Sequence, residues 1–200
     1  MKIKNYLLQD EIPTNKWLTK DHNKAVIRSV STKIENVDNL TEEEELTMKK
    51  LIDFVVASQD EEFNYEGKDD YLRPAVGLAA PQIGINKDMF YIRFNLPNNQ
   101  IEEYAMINTE YSAKSSRLAC LEEGEGCLSV DEDKHGIVPR SWIISVKGYD
   151  WLKKEWVELK LKDYRSIVFQ HEMDHNIGKL YYDHINKNEP EFIAEDWVIL

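Results

Sequence analysis

Cysteine is almost absent from this chain. Cys120 and Cys127 are the only two in 200 residues, which excludes the disulfide framework of a small secreted domain and leaves at least one thiol free to act as a ligand or nucleophile. Long apolar runs are missing too. The opening stretch MKIKNYLLQDEIPTNK holds only Tyr6-Leu7-Leu8 before polar residues resume, too short for a signal-peptide core. No later run approaches the roughly 18 residues of a membrane span. A cytoplasmic location with no membrane partner is expected. Basic residues are the minority, 25 against 37 acidic, for a net charge of -12 at pH 7. That balance favours solubility and works against adhesion to phosphate backbones through a general positive field.

Against these absences stands 42% of apolar residues, enough to bury a core in a length that is most simply one domain. The acidic run Glu42 to Glu45 follows Thr41 and places Glu44 three residues on, the pattern of a capping box at the positive end of a helix. Met48, Leu51, Ile52 and Val55 then recur at helical spacing, predicting an amphipathic helix over 41–58. Residues 59–74 are polar, with Gly67 and Pro74, and read as a surface loop. Strands are predicted at 88–95, 141–149 and 154–161, all rich in β-branched and aromatic residues, with the last two joined as a hairpin. Residues 96–140, marked by Asn98-Asn99, Gly124, Gly126, Gly136 and Pro139, read as loops and short strands. Helix, strands, then helix make the expected class α+β, with antiparallel or mixed β-sheets packed around a central C-terminal helix.

That last helix is predicted to start near Asp163 and stop near Gly178. Of only five histidines, it carries two, His171 and His175, four residues apart around Glu172. A chance His-Glu-x-x-His match in such a composition is on the order of one in a hundred. Tyr164, Ile167, Val168, His171, Glu172 and His175 share one face, so the imidazoles stack one turn apart and can reach one ion. Glu172 sits beside them without needing to be a ligand. A metal that activates water, with a neighbouring carboxylate to carry its proton, uses this arrangement. A catalytic site of this kind takes three protein ligands, and two candidates stand for the third. Glu195, twenty residues beyond His175, would make the chain a metallopeptidase. Cys127, in EGEGCLSV, would bind as a thiolate, with Gly124 and Gly126 letting its backbone approach a neighbour. Cys120 lacks such a frame and reads as a small buried hydrophobe. A third stretch, GLAAPQIG at 77–84, has small residues that let a substrate run along the main chain, and Gln82 offers an amide near the site.

Gly77-Leu78-Ala79-Ala80-Pro81-Gln82, Glu125-Gly126-Cys127-Leu128-Ser129 and Gln170-His171-Glu172-Met173-Asp174-His175 together resemble the three motifs of the peptide deformylases, in that family's order. The match spans roughly residues 70–185, and the early helix and long middle region resemble the extended, type 2 subclass. The resemblance implies that Cys127, His171 and His175 bind one divalent metal, ferrous iron in many members, with nickel, cobalt or zinc able to substitute. It makes Glu172 the general base and acid, and the Gln82 side chain and Leu128 backbone N–H the donors to the oxyanion. Gly77 would hydrogen-bond the substrate's main chain, and Val76, Glu125, Gly126, Ile167 and Val168 would adjoin the methionine. Arg140 and Asp174 would pair to hold the helix against the sheet. The reaction implied is removal of formate from N-formylmethionine on nascent peptides. Transient association with the ribosome and a monomeric state accompany that reading, without a motif to carry either.

The family often has a glycine two positions before Gly77, where this chain has Ala75; the extra methyl crowds that edge of the peptide groove but alters no metal or catalytic position. The expected organisation is one catalytic domain over 1–200: an N-terminal extension at 1–40, the helix at 41–58, a motif-bearing core at 75–185 and a C-terminal segment at 186–200. The alternatives are the metallopeptidase with Glu195 and a non-catalytic metal-binding module using the acidic surface.

Overall fold

The computed structural model describes residues 6–200; residues 1–5, the start of the expected N-terminal extension, lie outside them. A single turn, α1 (Lys24–Ile27), precedes the long helix α2 (Glu42–Gln59). The capping box forms as the sequence predicts. The Glu44 N–H donates to Thr41 Oγ1 at 3.3 Å and the Thr41 N–H donates to Glu44 Oε2 at 3.0 Å. These bonds satisfy two helix-end donors that would otherwise be orphaned.

Seven strands follow before the last helix: β1 (Gly77–Ala79), β2 (Met89–Leu96), β3 (Gln100–Lys114), β4 (Leu118–Cys120), β5 (Arg140–Ser141), β6 (Ile143–Asp150) and β7 (Glu155–Lys162). Helix α3 (Tyr164–Asn176) and the short β8 (Val198–Ile199) complete the chain. Five strands form an antiparallel sheet in the order β1-β2-β3-β6-β7. A smaller mixed sheet has the order β5-β4-β8, with β8 parallel to β4.

Strand periodicity explains how the large sheet is covered on both sides. Met89 and Tyr91 of β2 pack with Met48, Leu51 and Val55 of α2. Phe90, Ile92 and Phe94 point the other way, onto Val168, Phe169 and Met173 of α3. A strand buried on both faces reads as a continuous apolar run, which is why MFYIRF shows little alternation. Phe169 is fully buried and meets Phe90 edge-on at 5.6 Å between ring centroids. Burying such a ring contributes about 1.5–3 kcal/mol, so the contact fixes α3 firmly on the sheet.

Two expectations need correction. The region 96–140 contains β3, the longest strand and the centre of the large sheet, rather than loops and short strands alone. Its polar residues hide it: Glu102 pairs with Arg165, Glu103 accepts from the Tyr91 hydroxyl at 2.5 Å, and Asn108 takes a positive φ at a bulge. The second correction concerns the helix as bearer of the metal site. The α+β class with antiparallel and mixed sheets holds, but the group able to hold a metal is the triad Cys127, His171 and His175, not a His-Glu-x-x-His site contained in one helix. Two imidazoles one turn apart supply two donors, and the third must come from another part of the fold.

Asp163 precedes α3 as expected but does not cap it. Its backbone φ of 56° turns the side chain away, and its carboxylate accepts the Trp142 indole N–H at 2.5 Å. No helix among the described residues is long and apolar enough to cross a membrane.

Candidate metal centre

Three elements of the fold converge on one cluster of side chains. Helix α3 presents His171 and His175, with ring centroids 5.1 Å apart. The loop after β4 presents Cys127, whose Sγ lies 3.3 Å from His175 Nε2. The turn after β1 presents Gln82. One ligand atom from each of Cys127, His171 and His175 lies within 4.8 Å of the others. A tetrahedral ion about 2.3 Å from sulfur and about 2.1 Å from nitrogen needs those atoms about 3.6 Å apart. The cluster has the right size.

Gly124 explains how the loop ahead of Cys127 makes its close approach. With φ of 76°, a Cβ there would meet the Gly136 carbonyl oxygen at 2.6 Å, whereas a Cβ at Gly126 would meet only the movable end of the Arg73 side chain. Only glycine accepts both the backbone angle and the approach at position 124. Gly77 is required for a different reason than a peptide groove alone. A Cβ there would sit 2.5 Å from Glu172 Oε1, so the bare backbone makes room for that carboxylate.

Around the triad lies a layer of fixed partners. Glu125 Oε2 is 2.8 Å from His171 Nδ1, which leaves the other ring nitrogen of His171 for an ion. Arg140 donates to both oxygens of Glu125, at 2.8 and 2.9 Å, and to Asp174 Oδ2 at 2.5 Å. His184 Nε2 also reaches Asp174, at 2.7 Å. The expected pairing of Arg140 with Asp174 is present, and Glu125 extends it to a histidine. Such a carboxylate–histidine contact fixes ring orientation and raises ligand basicity. Glu125 lines the cleft as expected, but both its oxygens are engaged by Arg140 and His171.

Burial shapes the charges here. It pushes the Glu172 carboxyl up to about 7, close to the operating range of a general base at neutral pH. It also pushes His175 well below the ordinary histidine value, helped by His171, which favours the neutral, ligating form. For His171 burial pulls in the same direction, but the contacts with Cys127 and Glu125 outweigh it and hold the value well above the ordinary one. An ion bound at the triad would displace that proton. Glu125 is held down to about 2: burial opposes this, and the Arg140 charge and hydrogen bonds overcome it.

One cleft is lined by Val76, Gly77, Gln82, Glu125, Gly126, Cys127, Leu128, Ile167, Val168, His171 and Glu172. His175 lies behind it, 1% exposed. Arg73, Pro74, Ala75, Leu121 and Tyr164 complete the wall; of these, Ala75 is 7% exposed and belongs to the core cluster under α2. Two residues expected on the wall are not there. Ala79 faces the α3 side of the sheet and Ala80 the α2 side, both fully buried, because the strand alternates and then turns. Glu195 is exposed and outside the ligand cluster. Cys120 is a buried free thiol on β4, as expected. Sequence reasoning missed Tyr181, whose ring stacks near His171 at 6.4 Å and 14°; nothing in its local sequence signals that contact.

The buried ion-pair network gives a stability prediction. Asp174→Asn should lower the unfolding free energy by about 1–3 kcal/mol, since Arg140 keeps Glu125 but loses a charged partner. Bound metal should be unchanged. Denaturant midpoints with an unaltered m-value, alongside elemental analysis, check this.

Comparison with known proteins agrees with the geometry. The sequence profile described as "Polypeptide deformylase" matches residues 15–191. A curated relative, "Peptide deformylase 2" of Bacillus anthracis, is 42% identical over 171 residues, covering 86% of this chain and 89% of the relative. Among solved structures, the peptide deformylase of Thermotoga maritima is 30% identical, with a TM-score of 0.63 over 84% of this chain and 96% of its own. A probable peptide deformylase from synechococcus phage S-SSM7 is 26% identical, with a TM-score of 0.66 over 84% and 98% of the two chains.

Proposed function

The chain belongs to the polypeptide deformylase family, and from that premise we infer that it hydrolyses the formyl amide of N-formylmethionine at the start of nascent polypeptides, releasing formate and a free amine. The observation that carries the reading is Glu172. Its carboxylate is 4% exposed, adjoins Gly77 in the cleft beside the triad, and has in Oε2 a buried oxygen with no hydrogen-bond partner among the described residues. A buried, unpartnered carboxylate oxygen is costly. Its retention at a metal-sized cluster supports a role in proton transfer.

The residues present fit a divalent ion: one thiolate and two imidazoles in reach of one point, with His171 oriented by Glu125. Cys127, His171 and His175 would hold it, and it would supply Lewis-acid activation of water and of the formyl oxygen. We assign ferrous iron as the resident metal, with nickel, cobalt and zinc able to replace it; a mixed sulfur and imidazole donor set accommodates each of these ions.

The remaining chemistry belongs to the chain. Glu172 takes the proton of the attacking water as its oxygen bonds to the formyl carbon, then returns it to the amine as the tetrahedral adduct collapses, the formyl C–N bond breaking and formate leaving. The Gln82 amide is locked for its part: Oε1 accepts the Ala79 N–H at 2.8 Å, which aims Nε2 toward Cys127 Sγ at 3.5 Å. Together with the Leu128 N–H it donates to the developing oxyanion, and preorganised donors of this kind are worth about 3–4 kcal/mol each. Val76, Ile167 and Val168 give the methionine side chain an apolar wall, while Gly77 and Gly126 leave main chain accessible to the peptide. Action in the cytoplasm, on chains leaving the ribosome, follows from that substrate.

Substrate choice tests the reading. With Glu172 abutting Gly77, a methyl in place of the formyl hydrogen has little room, and overlap exceeds the ~1–3 kcal/mol of one methylene in an accommodating pocket. Formyl-Met peptides should be cleaved at least about a hundredfold better, in kcat/KM, than acetyl-Met peptides. They should also be preferred, more mildly, over formyl peptides that begin with a charged residue. Equal rates on formyl and acetyl substrates, or cleavage of internal bonds in unblocked peptides, would overturn it.

A further inference from the structure

The segment 19–22 carries no recognisable motif, yet it spans the two loops that hold the proposed oxyanion donors. The Thr19 N–H donates to the Gln82 carbonyl oxygen at 2.7 Å. The next residue, Lys20, is half-buried, and its Nζ donates to the Leu128 carbonyl oxygen at 2.6 Å. Asp21 Oδ1 then accepts the Asp131 N–H at 3.3 Å, and His22 Nδ1 lies 2.7 Å from Asp131 Oδ2. Four consecutive residues thus tie the turn bearing Gln82 to the loop bearing Cys127 and Leu128.

The Lys20 contact reaches further than the loop. The Leu128 carbonyl and the Ser129 N–H belong to one peptide group, and that N–H donates to Cys127 Sγ at 3.4 Å. A cation on the oxygen of a peptide polarises its N–H, because the group's resonance carries charge from nitrogen to oxygen. Hydrogen bonds in such a chain strengthen one another in a low-dielectric interior. The path runs from the ammonium through one peptide to the sulfur of a proposed metal ligand.

We propose that Lys20 is a positioning residue for the reaction: its ammonium fixes and polarises the Leu128–Ser129 peptide, tuning the Cys127 sulfur and holding the Leu128 donor in register with Gln82. The inference rests on the deformylase reading of the site. It differs from a merely structural role because the cation acts through the peptide on the sulfur's electrons. Arginine, which keeps the charge, retains the effect, whereas methionine, of similar length and apolar, loses it.

The experiment compares wild type, Lys20→Met and Lys20→Arg as intact chains loaded with cobalt, following formate release from a formyl-Met peptide and the sulfur-to-cobalt charge-transfer band. Lys20→Met should lower kcat about tenfold or more, since small misplacements at a reacting centre are costly. Its KM should stay within about twofold, because the methionine wall is untouched. The band should move to lower energy as the sulfur loses a polarised N–H, and Lys20→Arg should recover most of both effects. Lys20→Gln serves the same comparison if Lys20→Met does not fold. A kcat within about twofold of wild type, loss of the ion, or a lower kcat with an unmoved band would each overturn the proposal. If the wild type itself released no formate, the deformylase reading would fall, while the band comparison would still decide whether Lys20 acts on the Cys127 sulfur.

Discussion

Glu172→Gln should keep its metal and lose kcat by about 10³-fold or more, the upper part of the range for general acid–base catalysis. Glutamine matches the shape of the carboxylate and can still hydrogen-bond a water, but it cannot accept the proton released on attack or return it to the amine. The ligand atoms of Cys127, His171 and His175 are untouched. The same substitution should leave the fold at least as stable as wild type. Glu172 is 4% exposed, burial above all pushes its carboxyl up to about 7, and Oε2 has no partner among the described residues. A neutral amide removes that buried charge. Higher or equal melting temperature with collapsed turnover is the pattern of a residue kept for chemistry at the expense of stability. Steady-state kinetics, elemental analysis and a melting curve on one preparation are enough. A metal-free variant would mean that Glu172 is a ligand, and near-normal turnover would remove it from the mechanism.

Cys127→Ala should lose most of its bound metal, whereas Glu195→Ala should retain it. Removing Cys127 takes from the triad its one sulfur donor and its one member outside α3, leaving two imidazoles. Glu195 is exposed and lies outside the ligand cluster. Cys127→Ala should therefore fall to the background rate of formate release, with a fold close to wild type, since a small buried thiol contributes little packing beyond alanine. The opposite pattern of metal content would transfer the third-ligand role to Glu195 and the chain to the metallopeptidases.

The parts of this molecule that were legible in its sequence are those where local pattern and tertiary role coincide. Thr41 and Glu44 form the capping box their spacing implies, and α2 runs within a residue of its predicted bounds. On α3, Ile167, Val168, Glu172 and His175 are buried as the 3.6-residue period implies, but Tyr164, predicted on the same face, is 41% exposed, and Phe169, Gln170, Met173 and Asp174 off that face are buried as well, because the helix is covered on nearly every side. Strand β3 escaped because its acids are satisfied by distant residues, Arg165 and Tyr91, so polarity that reads as loop is spent in pairs. Asp163 had the identity of a cap but a backbone angle that forbids it.

The site divides along the same line. The spacing of His171 and His175 announces a pair of candidate ligands, whereas Cys127 stands level with Glu195 until the resemblance favours it, and Glu125 announces only an acidic position beside a glycine. Its role depends on Arg140, fifteen residues on, and on His171 from another element. Lys20 and Thr19 reach Leu128 and Gln82 across more than sixty residues of chain. No periodicity in a single sequence encodes contacts at that range. Ala79 and Ala80 err in the opposite direction: small residues that suggested a substrate wall serve close packing on the two faces of the sheet.

If one ion held by Cys127, His171 and His175 drives hydrolysis of a formyl amide, turnover must follow that ion. Formate release from a formyl-Met peptide, measured on stripped protein as ferrous iron or nickel is restored under anaerobic conditions, decides the matter. Activity should rise in proportion to metal bound and level off at one ion per chain, and Cys127→Ala should stay flat across the same titration. Full formate release from the stripped protein, or a Cys127→Ala titration that overlays wild type, would contradict it.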